Sequence, residues 1–262
     1  MIHRLPAPLA LAVTVAVALA ACNAGTAGPP LTDPTAIVTA ALKASEAAKS
    51  VHVDLTADGV TKVTLPIAGS SGTPIDLTGI TASADLDLAG TAAKATFSVP
   101  SPLKVVGEAI AVGAKVYIKT SLTGPLYQAS SAGANVLLDP SKARGLIDNL
   151  GDLLLKPGVN LAKGDDAACG SKQCYTVTAD VTAAALGPTG ASGLAGLPID
   201  LTGATLKLTI RVEKDLPYHL AGVTAEMATT SSGTIKVVVT LSKWDEPVTI
   251  QAPPADQVKS GS

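Results

Sequence analysis

The chain has 262 residues, with 19 Lys and Arg against 21 Asp and Glu, a formal charge of −2, and 47% hydrophobic but only 2% aromatic residues. A near-neutral chain without a Lys/Arg cluster has nothing to track phosphates, which excludes nucleic acid as a partner. An aromatic ring buries about 150–250 Å², so a core built almost wholly from aliphatics is either a thin layer or partly open.

The N-terminus reads as an export signal. His3 and Arg4 form a short basic region and Leu5 to Leu19 an apolar one, shorter than the roughly twenty residues of a membrane span. Leu19-Ala20-Ala21-Cys22 then sets small side chains before a single Cys, the pattern of a bacterial lipobox. Signal peptidase II cuts before such a Cys, whose thiol takes the diacylglycerol. The alternative is an ordinary secretory peptide cut at an Ala-x-Ala site. The lipobox makes residues 1–21 a lipoprotein signal peptide and 22–33 a lipidated N-terminus and flexible linker. Residues 34–254 form one domain and 255–262 a disordered tail. The protein is then exported and held by acyl chains, palmitate among them, on the extracytoplasmic face of the cell membrane. Assigning Cys22 to lipid leaves Cys169 and Cys174, which flank Gly170-Ser171-Lys172-Gln173. In an oxidising compartment these two form a disulfide that pins the turn. A Cys pair binding metal needs further ligands, and His52 and His219 are distant in sequence.

In chain order, Thr32-Asp33-Pro34 supplies a cap and a first-turn Pro for a helix to about Lys49. Its apolar side carries Ile37, Val38, Ala41, Leu42, Ala44 and Ala48. Strand alternation follows at Val51–Asp58, Ala84–Leu88, Ala95–Val99, Lys104–Val112 and Lys115–Lys119. His52 falls in the polar set, as a solvated side chain. Asp139-Pro140 opens a second helix with a stripe of Leu146, Ile147, Leu150, Leu153 and Leu154, ended by Lys156-Pro157-Gly158. Further strands run through Tyr175–Val181, Thr205–Glu213, His219–Met227 and Ile235–Leu241. Pro74-Ile75-Asp76-Leu77-Thr78-Gly79 recurs as Pro198-Ile199-Asp200-Leu201-Thr202-Gly203, without a third copy to make a repeat array.

No Gly-x-Ser-x-Gly elbow, His-Glu-x-x-His pair or phosphate-cradling loop is present. Asp165-Asp166 is a carboxylate pair on a Gly-flanked loop, solvated in the ordinary case. The chain offers no catalytic constellation, no metal site and no cofactor motif. Amphipathic strands with two amphipathic helices point to an α+β sheet wrapped over helices. With few rings to fill it, such a sheet leaves room for an apolar cavity.

The order of these features resembles the LppX/LprA/LprF/LprG group of actinobacterial lipoproteins, best known from mycobacteria. The likeness rests on the lipobox at Cys22, the helix running into Ser50-Val51-His52-Val53-Asp54-Leu55, and Gly113-Ala114-Lys115-Val116-Tyr117-Ile118. It continues through Leu138-Asp139-Pro140, Asp215-Leu216-Pro217 and the ending from Leu241-Ser242-Lys243-Trp244-Asp245-Glu246-Pro247 to Pro253. The resemblance implies a LolA/LolB-like fold: a curved antiparallel half-barrel packed on and closed by helices, with a hydrophobic cavity for acyl chains. It implies a non-enzymatic role carrying or presenting lipids or glycolipids in the envelope, without cofactor, and in some members beside a membrane transporter. Alternation alone names the lining candidates. They are Val53, Leu55, Leu86, Val116, Ile118, Leu206, Leu208, Ile210, Val237 and Val239 on strands, with Leu146, Leu150 and Leu154 on the second helix. For each, ordinary core packing is the competing role. A surface-anchored scaffold lipoprotein with a packed interior, and a lipid-modifying enzyme built on loop residues, are the other function classes.

Overall fold

The computed structural model describes residues 28–63, 73–90, 92–100, 103–131, 140–182, 205–229 and 233–259. Cys22 and the second Pro-Ile-Asp-Leu-Thr-Gly copy lie outside them. Helix α1 (Pro34–Ala47) starts as its sequence predicts: Asp33 accepts from the Ala36 amide at 2.7 Å, and Pro34 occupies the first turn. It buries Ile37, Val38, Ala41 and Leu42 together with Ser45, a residue the apolar stripe omits. Ser45 is tolerated there because its hydroxyl accepts the Leu220 amide at 3.2 Å. The helix stops at Ala47, two residues short of the expected end, because β1 already begins at Ser50.

The strands, in chain order, are β1 (Ser50–Asp58), β2 (Val60–Val63), β3 (Thr73–Asp76), β4 (Ile80–Asp87), β5 (Ala92–Val99), β6 (Val105–Val112), β7 (Lys115–Thr120) and β8 (Gln128–Ser131). Helix α2 (Pro140–Leu154) precedes β9 (Asn160–Lys163), β10 (Ala167–Cys169), β11 (Lys172–Thr182), β12 (Thr205–Glu213), β13 (Leu220–Thr229) and β14 (Gly233–Ser242). Twelve of them form one open antiparallel sheet in the order β10-β11-β12-β13-β14-β1-β4-β5-β6-β7-β8, with β9 also on β11; β2 and β3 pair separately. β1 sits between β14 and β4, so the chain's first strand joins its last to the hairpins that follow it. The fold is α+β, as expected, and the sheet remains open. The β2–β3 hairpin and the short strands β8, β9 and β10 have too little alternation to be read from sequence.

Register fixes which side chains share a face. One row runs Ile210, Val223, Val239, Leu55, Ala82, Phe97 and Gly107 across seven strands. A parallel row runs Leu241, Val53, Ala84, Ala95, Ala109 and Ile118. On this inner face α1 and α2 pack over β11–β13, making the main core from Leu154, Val177, Leu206, Leu208, Ile210 and Val212 with the α1 stripe. The two helices approach at Gly151, where an added Cβ would lie 3.1 Å from Leu42 Cδ1. Cys169 and Cys174 form the expected disulfide, with Cα atoms 5.9 Å apart.

Both ends of the described chain are fastened. The Tyr218 hydroxyl donates to the Pro29 carbonyl at 2.8 Å, and the Leu31 amide donates to the Tyr175 hydroxyl at 3.0 Å. At the other end, Tyr127 pairs with Val258 beside β8: its amide donates to Gln257 and its carbonyl accepts from Lys259, both at 2.8 Å. Residues 255–259, expected to trail as a tail, are thus docked at the far edge of the sheet.

Candidate functional site

The inner face of the sheet divides into two unlike halves. Over β11–β13 the inward positions carry large aliphatics, and the helices cover them. Over β4–β6 the central inward positions are Ala82, Ala84, Ala93, Ala95, Ala109, Ala111 and Gly107, with Phe97 among them and Ile80, Leu86, Val99 and Val105 toward the strand ends. No described helix packs there. Two small clusters close this half at one end of the strands: Ala48, Val51 and Leu88, and, beside them, Ala93, Ala111 and Val116. Between those clusters and the helix-covered core, Leu55, Ala82, Ala84, Phe97, Val237 and Val239 are only half-buried and belong to neither. They form the floor of an apolar trough.

Phe97 lies flat across the floor because its partner is glycine. An added Cβ at Gly107 would sit 2.2 Å from Phe97 Cζ, so no larger residue fits under the ring as placed. On the outer face of the same strands a shallow depression of about 470 Å³ is lined by Asp54, Thr56, Thr81, Ser83, Thr96, Ser98 and Val106, over the Leu55, Ala82, Phe97 and Gly107 row whose side chains point to the trough.

The sequence-derived lining set therefore falls on one face but not in one place. Leu55, Val237 and Val239 are trough floor, and Val53 and Leu86 flank it as partly buried neighbours of the end cluster. Val116 is buried in the second end cluster with Ile118 against it. Leu206, Leu208, Ile210 and Leu154 are packed in the helix-covered core, with Leu150 against them; ordinary packing accounts for these five. Leu146 falls on α2, and its side chain lies outside the described residues. The lining set drawn from alternation omits Ala82, Ala84, Phe97 and Gly107, and three of these four are Ala or Gly, which give almost no hydrophobic signal at period two. Their clustering in β4, β5 and β6 was the available clue.

The opposite face is polar. His52 is half-buried there rather than free in solvent, its Nδ1 2.6 Å from Asp85 and its Nε2 3.3 Å from Asp54. A second groove of about 250 Å³ is lined by His52, Asp85 and Lys94 with Lys243 and residues 246–250. Nearby, Lys94 and Lys119 reach Glu108 at 3.1 and 3.2 Å. Burial pushes the Glu108 carboxyl up, but hydrogen bonds from Tyr127, Lys94 and Lys119 outweigh it and hold the group below its ordinary value. Asp166 is not merely solvated: it holds Lys163 and Lys214. Among the described residues, no group of three or more His, Cys, Asp or Glu side chains is placed to hold a metal, and no helix is long and apolar enough to cross a membrane.

No protein-family model and no curated protein matches the sequence. Solved structures do match. The crystal structure of LprF from Mycobacterium bovis overlays with a TM-score of 0.59 at 20% identity, covering 86% of this chain and 99% of that one. The Mycobacterium tuberculosis lipoprotein LppX overlays with a TM-score of 0.52, also at 20% identity, covering 84% of this chain and all of that one. A LolA superfamily protein from Nitrosomonas europaea spans 87% of the chain, but at a TM-score of 0.28 and 9% identity the overlay is too loose to carry weight. The chain has the fold of LprF and LppX.

Proposed function

We propose that this is a cell-envelope lipoprotein, acylated at Cys22, that holds the acyl chains of a lipid or glycolipid in the trough and carries or presents them between envelope layers. The observation that carries the reading is the half-buried apolar floor of Leu55, Ala82, Ala84, Phe97, Val237 and Val239, beside a core that is fully packed. Burying acyl chain yields about 0.8 kcal/mol per CH₂, so a long chain binds such a floor without a polar contact. The fold supports the reading, since LppX, a lipoprotein, shares it. No enzymatic step is assigned, and an envelope transporter is a compatible partner.

The test uses residues 22–262 carrying Cys22→Ser, which retain every described element. The protein is purified from a lipid-containing bacterium, weighed by native mass spectrometry and extracted with solvent. Stoichiometric acyl lipid is expected, and Ala82→Trp or Ala84→Trp, which fill the trough without touching the helix-covered core, should displace it. Protein that purifies clean and takes up nothing from mixed vesicles would favour a scaffold lipoprotein instead.

A further inference from the structure

The trough is closed at one end of its strands by the two small clusters, and the loops at the other end carry an unusual surface. Among the described residues the exposed large hydrophobics include Val60 (45%), Leu103 (60%), Val106 (55%), Leu122 (74%) and Leu126 (40%). All five fall at that open end. Val60 opens β2 directly after β1, Leu103 lies in the β5–β6 connection, Val106 is the second residue of β6 with its side chain on the outer face, and Leu122 and Leu126 lie in the β7–β8 connection. The connections are neighbours: the Ser121 amide donates to the Val106 carbonyl at 2.8 Å, and the Val106 amide donates to the Ser121 hydroxyl at 3.2 Å. Strands about 4.8 Å apart spread these tips over roughly 20 Å from β1 to β7.

We propose that these loop tips insert into an anionic phospholipid surface and set the open end of the trough against it. The inference rests on the trough's proposed acyl cargo and adds where that cargo enters. Three features favour a lipid surface over a protein partner. Leu103, Leu122 and Leu126 project from two separate connections instead of forming a flat patch. None is aromatic or Arg, the residues on which protein interfaces depend. The charge also fits: residues 99–106 and 120–127 contain no Asp or Glu, and their only charged side chain is Lys104. Lys104 is exposed beside Leu103 in a turn closed by its own amide to the Pro100 carbonyl at 2.8 Å. An apolar tip with an adjacent Lys suits the boundary between headgroups and acyl chains. On the inner face Ile80, Val99 and Val105 stand between the Phe97 and Gly107 row and this open end, so a chain leaving the bilayer meets apolar side chains on its way to the floor.

The test again uses residues 22–262 with Cys22→Ser. An environment-sensitive dye is placed on Thr123→Cys, at the rim, or on Lys115→Cys, at the closed end. With vesicles of phosphatidylcholine and phosphatidylglycerol, the Thr123 label should shift to the blue and the Lys115 label should not. Each inserted leucine is worth roughly tenfold in partition, so Leu103→Asp with Leu122→Asp should lower vesicle binding by at least that factor while the thermal melt stays unchanged. Lys104→Glu should weaken binding to these vesicles and leave it unaltered on phosphatidylcholine alone. No shift at Thr123, a shift at Lys115, or full binding by the double Asp variant would overturn the proposal. Co-purifying lipid reads the trough and vesicle partition reads the rim, so failure of either identifies which one is wrong.

Discussion

Leu208→Ala and Leu55→Ala remove the same atoms from the same face of one sheet, yet the structure assigns them different costs. Leu208 is 1% exposed and packed beneath the helices. Its truncation loses the transfer energy of the removed carbons and leaves a cavity, about 2–5 kcal/mol for a buried Leu→Ala. Leu55 is half-buried on the trough floor and joins no buried cluster. It loses only part of a transfer energy of about 1.5–3 kcal/mol and leaves no sealed void, so about 1 kcal/mol is expected. In a domain of this size 1 kcal/mol moves the melting point by about 2–4 °C. Leu208→Ala should therefore melt about 4–20 °C lower and Leu55→Ala about 2–4 °C lower. Urea unfolding followed by far-ultraviolet circular dichroism checks both. The protein must first be stripped of lipid, because a ligand bound only to the folded state adds its own stability. Equal losses at the two positions would mean that the trough floor is ordinary core, and the division of the inner face would be refuted.

Acidification tests another part of the structure. His219 is buried, stacked on Trp244 with ring centres 4.9 Å apart, and 3.7 Å from the Asp245 carboxylate. Burial holds its pKa below the ordinary value and outweighs the attraction of Glu213 and Asp245. A depressed folded-state value means that the unfolded chain binds the proton more readily. The stability contributed by neutral His219 is thus present in full above about pH 6.5 and is lost as pH falls through the folded-state value. Thermal melts from neutral to mildly acid pH should fall across that window, and His219→Gln should flatten the fall; melts that rise on acidification would contradict the assignment. At the trough, Gly107→Ala brings its Cβ onto the Phe97 ring and should cost about 1–3 kcal/mol as overpacking. Phe97→Leu in the same chain should recover most of that, read as the coupling in a double-mutant cycle of unfolding free energies.

Which parts of this were legible in the sequence follows from how strongly each side chain signals its surroundings. The long strands were readable because Leu206, Leu208 and Ile210 alternate cleanly with Lys207, Thr209 and Arg211, and a single wet face imposes that period. Both helix starts were readable from Pro34 and Pro140, which favour the first turn. Ser45 was not, because its place inside the core depends on the Leu220 amide, a partner 175 residues away. The docking of residues 255–259 on Tyr127 was illegible for the same reason. In the candidate site, alternation put Leu55, Val237 and Val239 on the correct face but could not separate floor from core. That distinction depends on where α1 and α2 lie, which no strand records in its own residues. Ala82, Ala84 and Gly107 define the trough by what they lack, and a missing side chain leaves no periodic signal.

The scarcity of aromatic residues acquires a structural meaning from where the few rings stand. Of the four Tyr, one Trp and one Phe, Tyr175 and Tyr218 fasten Leu31 and Pro29 through their hydroxyls, Trp244 donates its indole N–H to the Leu220 carbonyl at 2.9 Å while stacking on His219, Tyr127 stands where its backbone pairs with the C-terminal residues, and Tyr117 lies on β7. The side chains of Tyr175, Tyr218 and Trp244 act as clamps between distant segments. Only Phe97 lies on the trough floor, and the residues around it are mostly Ala and Gly. A thin aliphatic core and a partly open interior are therefore both present, in different halves of one sheet. Where α1 and α2 supply a second layer, Leu, Ile and Val are enough to fill the space; where no described helix does, small side chains leave the face hollow. A sheet built this way needs no enclosed pocket to offer an acyl chain a continuous apolar track. For the proposed acyl cargo, a floor whose described side chains Leu55, Ala82, Ala84, Phe97, Val237 and Val239 carry no donor or acceptor would select for length and width and not for a headgroup.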